Sequence, residues 1–183
     1  MKLKYDAEMG KGVARCITIT VLLATLFGNS FECKAQTIDP KFQAIFIYGI
    51  SRKVEWSSNN DKFRIAVVGN NKALVDELKK LAATKQINDK AVVIEVLKSV
   101  TGSLNQDIVF MVGSNKNQLQ SCLSSASKNT LVMTEFAGAI DKGSYLNFIT
   151  KGNKIAFELN KTAIGGTSLR VKDELVKLAS IVN

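Results

Sequence analysis

Residues 106–134 read QDIVFMVGSNKNQLQSCLSSASKNTLVMT. From 108 to 112 the chain is apolar without polar alternation, the pattern of a strand buried on both faces. Gly113 interrupts it, Leu119, Cys122 and Leu123 then recur at helical spacing, and residues 131–133 return to a short apolar run. Strand, helix and strand within about 30 residues form the repeating unit of a parallel sheet.

The same phrase occurs upstream as FRIAVVGNNKALVDELKKL at 63–81, with Leu74, Leu78 and Leu81 on one helix face, followed by the strand-like KAVVIEVL at 90–97. Before it, Asp39-Pro40 is a helix start signal, and Phe42, Ile45, Phe46, Gly49 and Ile50 stand at helical spacing, predicting a helix to about Lys53. Downstream the texture changes. SYLNFITKGNKIAFELN (144–160) alternates about Gly152-Asn153, a hairpin signal, and SLRVKDELVKLASIV (168–182) places Leu169, Val171, Leu175, Leu178 and Ile181 as one closing amphipathic helix. The predicted fold class is α/β, a three-layer sandwich on a mostly parallel sheet of about six strands with a C-terminal antiparallel hairpin.

A chain of 183 residues, 46% hydrophobic and 22% charged, suits one globular domain with a real core. Residues 1–35 differ: lysines and Arg15, the apolar CITITVLLATLF (16–27), then polar GNSFECKA. That is the layout of a secretory signal peptide, and twelve apolar residues fall short of the ~18 that span a bilayer. With Cys33 and Ala35 as the small residues at minus three and minus one, cleavage is expected after Ala35. The expected organisation is a leader, 1–35, and one exported domain, 36–183, that does not span the membrane.

The leader holds five of the 25 basic and three of the 16 acidic side chains, so residues 36–183 carry 20 against 13, about +7. The lysines are scattered singly or in pairs, as on a solvated surface, and the aromatics show no basic-flanked stacking pattern, so no nucleic-acid partner is expected. Beyond the leader Cys122 is the one cysteine, among helical apolar positions, and is expected to be an inert core thiol.

Both Gly-x-Asn-Lys loops would lie at the carboxyl ends of parallel strands, where open α/β sheets usually bind ligands. The chemistry is against a phosphate cradle, since neither a multi-glycine dinucleotide loop nor Gly-Lys followed by Ser or Thr is present. Asn71 and Asn115 suit the capping of the helices that follow, with small-anion binding as the other reading. If ligand binding holds, Asn71, Asn115 and Glu135 would carry it, beside Gly69, Gly113 and Thr134.

The chain has no histidine, which removes the commonest general base and metal ligand. Its carboxylates form no paired motif and no Gly-x-Ser-x-Gly elbow occurs, so no catalytic residue, metal site or cofactor is expected.

KFQAIFIYGISRKVEW (41–56), the strands FRIAVVG and DIVFMVG, and above all the order of elements in LVMTEFAGAIDKGSYLNFITKGNKIAFELNKTAIGGTSLRVKDELVKLASIV (131–182) resemble the YfiR-like periplasmic proteins. The resemblance implies a periplasmic regulator that binds the periplasmic part of an inner-membrane signalling enzyme, in the best-known system a diguanylate cyclase of cyclic di-GMP signalling, and holds it inactive. It also implies redox-linked disulfides in better-known members, which a lone Cys122 cannot form within one chain. A homodimer is a further expectation. For the partner surface we expect Trp56 with Glu55 beside it, and Phe136 in the loop EFAGAID. The other readings are a half-buried packing role for Trp56 and an ordinary turn around Phe136. Asn160 is expected to cap the helix after FELN.

Overall fold

The computed structural model describes residues 38–182, apart from Asn59 and Asn153. The leader, with Cys16, Cys33 and the cleavage point after Ala35, lies outside the described residues.

Helix α1 (Pro40–Ser51) starts where its sequence says: Asp39 Oδ1 accepts from the Lys41 N–H at 2.9 Å and proline occupies the first turn. It ends at Ser51, earlier than Lys53, because the chain then enters strand β1 (Val54–Glu55), which pairs antiparallel with β8 (Arg170–Val171) in a small second sheet. Strand β2 (Lys62–Val68), helix α2 (Lys72–Ala82) and strand β3 (Ala91–Leu97) follow. Strand β4 (Ile108–Met111) leads through a 3-10 segment (Gly113–Gln118) into helix α3 (Leu119–Ser125) and strand β5 (Leu131–Thr134). Strands β6 (Leu146–Lys151) and β7 (Lys154–Leu159) form the expected hairpin; Lys151 pairs with Lys154, leaving a two-residue connection in which Gly152 takes φ +60°.

The C-terminal segment departs from expectation. Instead of one amphipathic helix, the chain divides after helix α4 (Lys161–Gly165) into β8, a short helix α5 (Asp173–Leu178) and strand β9 (Ile181–Val182). Leu169 and Val171 also satisfy a period of two: pairing with β1 takes Arg170 and Val171, and Leu169 is buried just before them. The β-branched pair Ile181-Val182 pairs with Glu158-Leu159 of β7. Counting β9, the main sheet has seven strands, in the order β3-β2-β4-β5-β6-β7-β9, parallel except for the β6–β7 hairpin.

One sheet face buries Ile65, Val67, Phe110 and Phe148 against α1, α2, α4 and α5. The other buries Ala66, Val109, Met111 and Val132 against α3 and the loop around Ala139. These are the three layers. Helix α1 turns Gln43, Ala44, Ile47, Tyr48, Ile50 and Ser51 to the core, so part of the stripe read from the sequence faces outward: Phe42 is 54% and Ile45 44% exposed.

Candidate functional site

The strand order reverses between β2 and β4, and both Gly-x-Asn-Lys loops sit at this switch point, where a ligand crevice is the general rule. Here the protein's own side chains fill it. Gly69, at φ +106°, has Val112 Cγ2 and Asn115 Oδ1 at 2.3 and 2.4 Å from where a Cβ would stand. Asn115 Nδ2 donates to the Lys98 carbonyl at 3.2 Å. Asn71 is the expected cap, its Oδ1 accepting from the Leu74 N–H at 3.1 Å. Asn115 is not. The 3-10 segment delays α3 to Leu119, no side chain caps that helix, and Asn115 closes the crevice instead.

Glu135, just past β5, forms the second part of this end of the sheet. Its Oε2 accepts from Gln43 Nε2 at 2.7 Å and its Oε1 from the Gly113 N–H at 3.4 Å. Burial pushes its carboxyl above the ordinary carboxylate range, while these two donors pull it back in part. Beside it, Asn147 Oδ1 accepts from Thr134 Oγ1 at 2.8 Å and from the Phe136 N–H at 3.1 Å, and Asn147 Nδ2 donates to Glu158 Oε2 at 2.7 Å. Polar groups here meet one another. Gln43 and Asn147 were not singled out from the sequence; the available signal was an amide in line with the buried stripe of Ile47 and Ile50.

Trp56 and Phe136 do not share a surface. Trp56 packs edge-on against Phe63, with ring centroids 5.0 Å apart, and its Nε1 donates to the Ser51 carbonyl at 2.8 Å. Phe136 is half-buried against the cluster on the opposite face of the sheet. Glu55 is exposed on β1, opposite Arg170. Asn160 caps α4 as expected, accepting from the Ala163 N–H at 2.8 Å. Cys122 is buried and its thiol is pushed up to about 12 by desolvation.

A different feature has the makings of a docking surface. Beside α1, an apolar groove of about 550 Å³ runs between the helix, the start of β7 and the end of α5, lined by Ile45, Phe46, Gly49, Ile155, Phe157 and Leu178. Phe46 packs edge-on against Phe148 beneath it, with centroids 6.4 Å apart. Of its lining Ile45 and Leu178 (61%), and next to it Phe42 and Ile181 (48%), expose large apolar side chains. Lys53, Lys151 and Lys154 also line it. Scattered surface apolar residues are normal, but ones gathered about a groove mark an interaction site.

Among the described residues no group of three or more Cys, Asp or Glu side chains could hold a metal, and no helix is long and apolar enough to cross a membrane. The molecule is thus an α/β sandwich with a self-satisfied strand-end network and an apolar groove beside its first helix. Residues 40–180 match the family described as YfiR/HmsC-like, and the chain belongs to that family. It is a family of periplasmic regulators of cyclic di-GMP signalling. No curated protein matches the chain.

Proposed function

We propose that this chain is an exported regulatory protein that binds the periplasmic part of an inner-membrane enzyme making cyclic di-GMP and holds it inactive. The observation that carries this reading is the apolar surface around α1, where Phe42 and Ile45 face solvent beside a groove. Family membership supports the direction of the proposal. Repression of this kind needs no catalytic group. It needs differential affinity: to reduce an enzyme that is half active alone to about one part in a hundred, the inactive form must be bound roughly 100-fold tighter, about 2.8 kcal/mol. An interface of the usual size takes about 20–30 residues on each partner, more than line the groove, so the neighbouring exposed face of α1 would be included.

The test is capture by tagged residues 36–183 from detergent-solubilised membranes of the native cell, followed by assay of the captured enzyme. The expected result is one sensor enzyme whose product formation falls as purified protein is added, with Phe42→Asp losing both effects. Captured enzyme whose rate is indifferent to saturating protein would overturn the repressor reading.

A further inference from the structure

Strand β9 covers only part of its neighbour. It pairs with Glu158 and Leu159 of β7, and the Ser180 N–H reaches the Phe157 carbonyl at 2.8 Å, so the third strand position is filled from Phe157 onward. Residues Lys154, Ile155 and Ala156 have β6 on one side and, among the described residues, no strand on the other. Backbone direction alternates along a strand. Because the Phe157 carbonyl points toward Ser180, the N–H and C=O of Ile155, two residues away, point to the same, open edge of the strand, and Ile155 itself lines the groove. An unpaired edge of this kind is a template for another strand.

We infer that the groove takes an extended, acid-flanked apolar segment of the partner, added as a strand on the open end of β7. The inference rests on the regulatory reading above. Strand addition gives affinity through main-chain hydrogen bonds and specificity through pockets for alternate side chains. Ile155 supplies the main-chain pair. Phe46, Phe157 and Leu178 supply apolar walls, and Gly49, with nothing within 4 Å of its missing Cβ, leaves room for an incoming side chain. The charge of the occupant follows from the basic lining. Lys53 is paired with Glu174, but among the described residues neither Lys151 nor Lys154 has an acidic partner in ion-pair range. Both extend from the hairpin end of the groove, where a carboxylate flanking the added strand would meet them.

The experiment uses the full domain and the enzyme captured above. A photoreactive benzophenone side chain is placed at position 154 or 178, with position 96 on the far edge strand as control, and the cross-linked peptide is identified by mass. Alongside, Lys151→Glu/Lys154→Glu and Gly49→Leu are compared with unaltered protein for affinity. A Cβ at Gly49 has nothing within 4 Å, and leucine in place of a mid-helix glycine favours the helix, so Gly49→Leu tests occupancy with little threat to the fold. Expected are cross-links from 154 and 178, not 96, into one apolar partner segment with flanking Asp or Glu, and at least a tenfold loss of affinity in both variants. Cross-links into a second copy of this chain, into a lipid acyl chain or into a partner segment without acidic flanks overturn the inference. So does unchanged affinity in both variants while the enzyme is still captured. Failure of the unaltered protein to capture any membrane enzyme overturns the regulatory reading itself.

Discussion

Gln43 Nε2 lies 2.7 Å from Glu135 Oε2, a bond between residues 92 apart in sequence that fastens the first helix to the end of the fifth strand. Gln43 is 1% exposed. The buried face of the helix whose outer side carries Phe42 and Ile45 is thereby tied to a carboxyl group that titrates above its ordinary range. Unfolded, Glu135 would lose its proton near pH 4.3; folded, it loses it later, so the folded chain binds more protons across that interval. Its contribution to stability is therefore full below the unfolded value and is lost as pH rises through the folded one. Glu135→Gln removes this dependence. We expect the urea midpoint of the wild type, relative to that of the Glu135→Gln variant, to fall as pH rises above the ordinary glutamate range, with contributions from other groups cancelling in the difference. A difference that is flat or rises with pH would refute the assignment.

Gly69 tests the filled switch point. Any L-residue there must adopt φ near +106° and place a Cβ within 2.4 Å of Val112 Cγ2 and Asn115 Oδ1. Backbone strain alone costs of the order of 1–3 kcal/mol, and the contact adds to it. Gly69→Ala is expected to lower unfolding stability by about 2 kcal/mol or more in urea titrations. A loss below about 0.5 kcal/mol would mean that the loop has room to open, and would revive a ligand crevice at this end of the sheet.

Phe42 separates binding from folding. It occupies the first turn of α1 and is 54% exposed, and an acidic residue near a helix N-terminus is favourable with the backbone dipole. Phe42→Asp should therefore change stability by no more than about 0.5 kcal/mol. A drop well beyond that in thermal unfolding would reassign Phe42 to packing and disqualify it as a probe of the partner surface.

Much of the fold was legible because parallel strands buried on both faces read as continuous apolar runs, as at 65–68 and 108–112, and each is followed by a glycine and a helical stripe. The C-terminal segment was not, since Leu169, Val171, Leu175, Leu178 and Ile181 fit a helical wheel. Only pairing with β1 and β7, distant in sequence, decides otherwise. The orientation of α1 was ambiguous for a similar reason: it is apolar on both sides, and the core claims the stripe containing Gln43, Tyr48 and Ser51. The groove was illegible because Ile45, Ile155 and Leu178 meet only after the hairpin and α5 have packed. Asn71 and Asn160 behave as local capping rules say, whereas Asn115 answers to Gly69 and Lys98, contacts no local pattern encodes.

Among the described residues, Cys122 decides whether a thiol can serve as a switch. It is 0% exposed, packed with Leu119 on the α3 face, and burial raises its thiol to about 12, so almost none is thiolate at neutral pH. Thiolate is the nucleophile, and access is a second requirement that burial also denies. A native sample of residues 36–183 should therefore react with a thiol reagent at a rate set by transient opening, roughly 100-fold or more slower than the same chain in about 8 M urea, where its thiol returns toward the ordinary value near 8.5. The native rate should climb as urea approaches the unfolding midpoint. Fast native labelling, or a cross-linked dimer under mild oxidation that is lost in Cys122→Ser, would show an accessible thiolate and return redox control to this protein by an intermolecular route.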